Sequence, residues 1–323
     1  MVMAHMMNTQ GGFSAFTKEN LNFHFKEMFK TWTEYLETKA SCNVLNQTDP
    51  DGWLTAEARR QLLKDFAPGR EFYQVYVCPD PSADDYGFTS FEHFFNRKFA
   101  NTGIDRPTGD IQNLAIVSTA CESVCYAFQT DVKKEDLLFI KDEAYSLAHL
   151  LNHDISVESF VGGTVIQGFL QTTGYHRWHA PVNGTIKRIV DVPGTYFVQC
   201  PDLLGIPMDA LEHHGVPPPY LLSLRMVSNI ATRQLIFIEA DNKAIGLMCF
   251  IAIGMTEIST CQATVKVGQH VNRGEELGMF HFGGSSHALV FRKEAGVQWD
   301  EEGTAIGASL KINNPIGVAR VAN

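Results

Sequence analysis

The stretch Met279-Phe280-His281-Phe282-Gly283-Gly284-Ser285-Ser286-His287-Ala288-Leu289-Val290-Phe291 sets two glycines and two serines between two apolar, aromatic runs. Short apolar runs bounded by glycine read as buried strands. A glycine pair lets the backbone bend sharply or be approached closely. On this pattern alone, a tight turn between two strands is the favoured reading. The sharper alternative is a reactive serine whose hydroxyl attacks its own chain.

Working outward, the chain from about Leu114 is rich in β-branched and aromatic runs separated by Gly, Pro and Asn-Gly. Thr164–Leu170 reads as a strand. Asn183-Gly184, followed by Thr185–Val190, carries a hairpin signal. Leu235–Glu239 and Ile245–Ile253 read as strands joined by Asp241-Asn242-Lys243, and Cys261–Gly278 alternates strand residues with spaced glycines. This pattern fits a twisted, bulged sheet closing on itself. Upstream, Leu21, Phe25, Phe29, Trp32 and Leu36 recur at helical spacing, predicting a helix over Phe16–Lys39. A second helix is expected over Gly52–Phe66, with Thr55 as cap and Pro68-Gly69 beyond its end. Ser90–Phe99 reads as a short helix with aromatic residues inside and charged ones outside. The expected fold class is α+β: a helical N-terminal region, 1–110, packed on a β-rich, glycine-punctuated barrel or sandwich-type catalytic core, 111–323.

Composition narrows the function. A net charge of −10 disfavours a nucleic-acid partner. No apolar run approaches the ~20 residues that span a bilayer. The first residues lack the layout of a signal or transit peptide, and seven cysteines, an odd number, do not read as a disulfide framework. A cytoplasmic protein acting on a small molecule, with no membrane span, is the expectation.

The second informative stretch is Gly174-Tyr175-His176-Arg177-Trp178-His179-Ala180-Pro181-Val182-Asn183-Gly184. Histidine moves protons near neutral pH, although either histidine alone also suits a buried, hydrogen-bonded position. The pair could also ligate zinc, with His270, His281 or a carboxylate completing the set. Set beside Gly284-Ser285, the histidines suggest self-cleavage. A histidine takes the Ser285 proton, the hydroxyl attacks the Gly284 carbonyl, and the amide becomes an ester. Elimination and hydrolysis then leave a pyruvoyl group at the new N-terminus. Its carbonyl condenses with an amine and accepts electrons as carbon dioxide leaves.

Four signatures together make the chain similar to the phosphatidylserine decarboxylase family. They are Ser90-Phe91 through Phe99 with its Phe-Phe-x-Arg, Lys141 through Leu151, Tyr175-His176-Arg177-x-His179-x-Pro181, and the Gly-Ser processing site. The resemblance implies cleavage between Gly284 and Ser285, a covalent pyruvoyl cofactor formed from Ser285, His179 as base and His176 as a supporting site residue. The family's aspartate after a Val-Ser-Pro-Ala-like strand falls on Cys121 here, with Glu122 next to it. Two readings of Glu122 stand: a shifted carboxylate that orients His179 as in a triad, which needs a bulge, or a solvated strand residue.

Ala120–Ser123, Ala180–Ile186, Phe237–Lys243, Gly254–Cys261 and Phe280–Ser286 resemble the fungal L-tryptophan decarboxylases of this fold, those of the psilocybin pathway in particular. This branch implies a carboxy-lyase acting on a free aromatic amino acid, tryptophan first and giving tryptamine, and a homodimer. It also implies a longer N-terminal extension than this chain carries. Trp178 and Phe282, beside the key motifs, are candidate substrate contacts. The rivals are phosphatidylserine decarboxylation, a zinc hydrolase using His176 and His179, and an unprocessed binding module on the same fold.

Overall fold

The computed structural model describes residues 2–136, 145–206, 219–257, 259–281 and 285–320. Its strands are β1 (Ile116–Ser118), β2 (Ser123–Thr130), β3 (Thr164–Leu170), β4 (Arg177–His179), β5 (Gly184–Val192), β6 (Arg233–Ala240) and β7 (Leu247–Ile253). They continue with β8 (Thr260–Ala263), β9 (His270–Val271), β10 (Glu276–His281), β11 (Ser285–Phe291), β12 (Gln298–Trp299), β13 (Ser309–Leu310) and β14 (Pro315–Val318). Eight of them form one sheet in the order β13-β2-β3-β11-β7-β6-β5-β9, and its pairings are antiparallel. Register shifts between Cys125 and Ala127 in β2 and between Ile186 and Arg188 in β5 bend it. Two three-stranded sheets, β1-β14-β12 and β4-β10-β8, complete the β-rich part.

All seven residues of β11 are buried, because both faces of the large sheet are covered. Alternate side chains of a strand point to opposite faces. Ala288 and Val290 accordingly join one core with Val165, Leu235, Phe237 and Ile251. Leu289 and Phe291 join another with Ile166, Ile236, Phe250, Trp178 and Phe280. The first core is closed by the N-terminal helices. Gln10–Phe16 and Glu19–Leu36 bring Phe16, Phe25 and Phe29 against Tyr196 and Phe197, with ring centroids 5.1 Å apart for Phe25–Phe197 and 5.2 Å for Phe29–Tyr196. The second is closed by β4 and β10. A third cluster is built from the front of the chain, including Leu54, Phe72, Phe88, Phe94 and Phe99, and it takes in Tyr175 from the β-rich part. The observed class is α+β, with the helical front packed on the β-rich core.

Several expectations change in detail. The long helix is observed as Glu19–Leu36, a few residues shorter than expected at each end, and a separate helix, Gln10–Phe16, precedes it with Lys18 extended between them. The second helix is shorter, Ala56–Leu62, and is capped as expected, the Thr55 hydroxyl accepting from the Ala58 N–H at 3.2 Å. Asn183-Gly184 does not make a hairpin, because β4 pairs with β10 while β5 pairs with β6 and β9. Within Ser90–Phe99 the helix covers Phe91–Phe95 and the charges divide: Lys98 is exposed as expected, whereas Glu92 and Arg97 are buried, each with polar partners. The turn expected at Gly283-Gly284 lies outside the described residues; β10 and β11, on either side of it in sequence, belong to different sheets and do not pair with each other.

Removing the Phe29 ring from the helix–sheet contact should cost about 3–5 kcal/mol, the range for buried aromatic-to-alanine changes. Urea unfolding of Phe29→Ala against the parent chain measures it.

Candidate active site

The two stretches that the sequence singles out run side by side. β4 is antiparallel to β10, with Arg177 opposite Met279 and Trp178 opposite Gly278, and the Phe280 N–H donates to the His176 carbonyl at 3.0 Å. Gly278 is needed here: a Cβ on it would lie 2.7 Å from the Trp178 ring. The strand carrying the histidines therefore borders the strand that leads into Gly283-Gly284-Ser285.

Two arginines lock this strand to the aromatic helix. Arg97 donates to the carbonyls of Thr173 and Gly174 at 3.0 and 3.2 Å, and its guanidinium lies 4.4 Å from the Tyr76 ring centre. In the opposite direction, Arg177 donates to the Asn96 carbonyl at 2.8 Å and to Glu276 at 2.9 Å. The Phe-Phe-x-Arg and Tyr-His-Arg-x-His signatures are thus two halves of one contact.

His179 is buried, and its backbone N–H donates to the Ala120 carbonyl at 2.8 Å. Its Nδ1 lies 2.8 Å from the Gly274 carbonyl and its Nε2 3.0 Å from the Tyr175 hydroxyl. A carbonyl only accepts, so Nδ1 carries the proton and Nε2 accepts from the phenol. Burial lowers the His179 pKa from its ordinary value and pushes Tyr175 well above the usual phenol range. The pair is therefore a neutral imidazole with a fixed tautomer and a protonated phenol. His176 is fully buried, stacked on Phe95 at 4.3 Å, with Nδ1 3.2 Å from the Gly174 carbonyl.

Ser285 is the first residue of β11, opposite Leu170 of β3. Its side chain is fully buried, and its Oγ makes no hydrogen bond among the described residues. A buried hydroxyl without a partner costs free energy. Ser285 and His179 are not hydrogen-bonded in this structure. Gly284 and Phe282 lie outside the described residues.

The expected contact of Glu122 with His179 is not made, and Glu122 is not a solvated strand residue either. It sits in the bend between β1 and β2, where Arg106 grips both carboxylate oxygens, at 2.6 and 2.8 Å, and the Ile312 N–H donates to it at 2.9 Å. Cys121, where the family aspartate is expected, is fully buried. Burial raises its thiol far above the ordinary value, so it is uncharged. Trp178 lies in the second core against Phe280, 4.9 Å between centroids, with its Nε1 unpartnered among the described residues. It is a packing residue rather than the wall of an open pocket.

His270 and His281 do not join the other two histidines. His270 pairs with Asp241 at 2.8 Å, and His281 lies between Glu92 and Gln262 at 2.7 and 2.6 Å. Among the described residues no group of three His, Cys, Asp or Glu could hold a metal ion, so the zinc reading lacks its third ligand. No helix among them is long and apolar enough to cross a membrane. Tyr175, the Gly274 carbonyl and Arg106 are the site groups that sequence reading left without a role. Only Tyr175 carried a signal, as part of the histidine motif. A cavity of about 150 Å³ lies beside Tyr175 and Glu122, walled also by Phe66, Tyr76, Lys64 and Gln171.

A family model described as phosphatidylserine decarboxylase matches residues 91–318, and a second of the same description matches 1–62. The chain is 51% identical over 325 residues to an L-tryptophan decarboxylase of Psilocybe cubensis, covering 99% of this chain and 73% of the relative. It is 40% identical over 316 residues to decarboxylase iboD of Amanita muscaria, covering 97% and 89%. To a phosphatidylserine decarboxylase proenzyme of Clostridium novyi it is 29% identical over 207 residues, covering 64% and 62%.

The Arg106–Glu122 pair is nearly dry, with side-chain exposures of 5% and 14%. Glu122→Gln leaves a buried guanidinium without its counter-charge and should destabilise the fold by about 3–5 kcal/mol. Replacing both residues, Arg106→Met with Glu122→Leu, should cost much less. Chemical denaturation of the three variants measures both effects.

Proposed function

Because the chain belongs to the phosphatidylserine decarboxylase family, we propose that it decarboxylates a free aromatic L-amino acid, L-tryptophan to tryptamine first, after cutting its own Gly284–Ser285 bond. The carrying observation is the near-full-length 51% identity to an L-tryptophan decarboxylase, against 29% over 64% of the chain for a phosphatidylserine decarboxylase proenzyme. The word proenzyme in the latter's name fits a precursor that must be cleaved.

Ser285 suits the source of a pyruvoyl group. Its hydroxyl is buried, has no partner among the described residues, and stands at the start of a strand held on both sides. Such a group, once formed, supplies an electron sink for the pair left as carbon dioxide departs. The remaining chemistry belongs to side chains. His179 is neutral because it is buried, so its Nε2 has a lone pair to receive a proton near pH 7. In this structure that lone pair is held by the Tyr175 hydroxyl, so a proton reaches it through the phenol or after the phenol swings away. His176, packed on Phe95 and adjoining β10, supports the approach to the cut segment. Glu122 contributes by fixing the bend after β1 through Arg106, not by orienting an imidazole. The cavity beside Tyr175 is walled by the rings of Phe66, Tyr76 and Tyr175 with Lys64 and Asp65 among its polar groups, a lining of mixed character that suits an aromatic amino acid.

The cut would leave a small chain from Ser285 to Asn323, 39 residues. It carries all of β11, hydrogen-bonded to β3 and β7, so it stays embedded as a central strand. Denaturing mass spectrometry of active protein should show two chains, the smaller blocked at its N-terminus, and Ser285→Ala should show one chain with no turnover. A single intact chain in active wild-type protein would sink the proposal. Carbon dioxide release from L-tryptophan, and none from phosphatidylserine vesicles, is the expected substrate pattern; release from the lipid alone favours the other branch of the family.

The pH dependence of cleavage follows from His179. Its folded-state pKa lies below the ordinary imidazole value of about 6.5, so it is already neutral at pH 7. The cleavage rate should be flat from neutrality down past about pH 6.5 and fall only at lower pH, as Nε2 is protonated. Precursor decay on gels across that range checks this; an inflection above pH 7 would contradict it.

A further inference from the structure

Two serines stand side by side at the start of β11, and the structure treats them differently. Ser285 Oγ is unpartnered among the described residues, whereas Ser286 Oγ accepts a hydrogen bond from Gln167 Nε2 at 2.6 Å. Gln167, in the neighbouring strand β3, is fully buried and uses the rest of its amide as well. Nε2 also donates to Ser228 Oγ at 2.8 Å, and Oε1 accepts from the Tyr145 hydroxyl. Ser228 in turn donates to the Leu224 carbonyl at 2.5 Å. The amide is thus pinned from β3 to the Leu224–Ile230 helix, and its donor edge is aimed at one serine of the pair. A connected buried network of this kind favours a single arrangement.

We propose that Gln167 is a positioning residue that selects which serine cleaves the chain. By occupying Ser286 Oγ it anchors the strand immediately downstream of the scissile bond, and it keeps that hydroxyl from attacking the Ser285 carbonyl. Ser285 Oγ is left as the hydroxyl available to attack the Gly284 carbonyl. In that step the Oγ–carbonyl bond forms, the Gly284–Ser285 amide bond breaks, and the Oγ proton ends on the freed amine. The inference rests on the self-cleavage reading above and deepens it.

The test uses the full-length chain in four forms: wild type, Gln167→Met, Ser286→Ala and Ser286→Thr. Thermal unfolding and the rate and position of cleavage, by intact mass, are recorded for each. Gln167→Met keeps the side chain's length and removes its hydrogen bonds. It should slow cleavage at Gly284–Ser285 roughly tenfold, about one hydrogen bond's worth, and yield a fraction of small chain shorter by one serine. A merely structural role would not move the cut. Ser286→Ala should be slowed similarly, and Ser286→Thr, which restores a hydroxyl, should recover. Gln167→Met that folds and cuts at the wild-type rate, at one bond only, overturns the proposal. If Gln167→Met does not fold, the Ser286 pair decides: a wild-type rate in Ser286→Ala, or equal slowing in Ala and Thr, overturns it. Wild-type chain that never cuts would defeat the self-cleavage reading itself, a separate outcome from any of these.

Discussion

The complete burial of β11 is the constraint on which the rest of the structure depends. A strand with solvent on one face can slip or fray, but this one is hydrogen-bonded to β3 and β7 and covered on both faces. Its even and odd residues are committed to two different cores. A one-residue shift would exchange those sets, so its register, and with it the place of Ser285, is set by packing on both sides. The helical front is part of this constraint: Phe16, Phe25 and Phe29 close the core on which Ala288 and Val290 rest.

Chemistry at the start of such a strand has to be arranged from neighbours that are themselves fixed. The Arg97 and Arg177 contacts run in opposite directions between the aromatic helix and β4, and they tie the histidine motif to a part of the chain about 80 residues away, by separations of 76 and 81. This explains why an arginine just past a helix of phenylalanines is buried: it spends its hydrogen bonds on carbonyls and its face on aromatic rings.

The site around His179 departs from a triad in a physically coherent way. With an uncharged thiol at position 121 and Glu122 held by Arg106, the imidazole is oriented by a backbone carbonyl at Nδ1 and a phenol at Nε2. A carbonyl fixes the tautomer as a carboxylate would, but it offers less stabilisation to an imidazolium. Burial adds to this by favouring the neutral ring. The arrangement suits a base that is ready at neutral pH rather than one that must hold a charge for long.

Much of this was legible in the chain. β-Branched and aromatic runs with glycine punctuation located β3 to the residue and β6 and β7 closely. The Tyr-His-Arg-x-His and Gly-Ser motifs identified the stretches that the fold brings together, since a motif is a local pattern and local patterns survive in a sequence. What sequence could not supply were contacts between residues far apart in the chain. That Asn183-Gly184 would link two sheets instead of closing a hairpin depended on β10 arriving beside β4. The partner of Glu122 depended on Arg106 folding across a bend, and periodicity carries no information about which cation reaches a carboxylate. The inequality of Ser285 and Ser286, adjacent and chemically identical on paper, was decided only by tertiary structure: strand pairing delivers the Gln167 amide to one hydroxyl and leaves the other without a partner among the described residues.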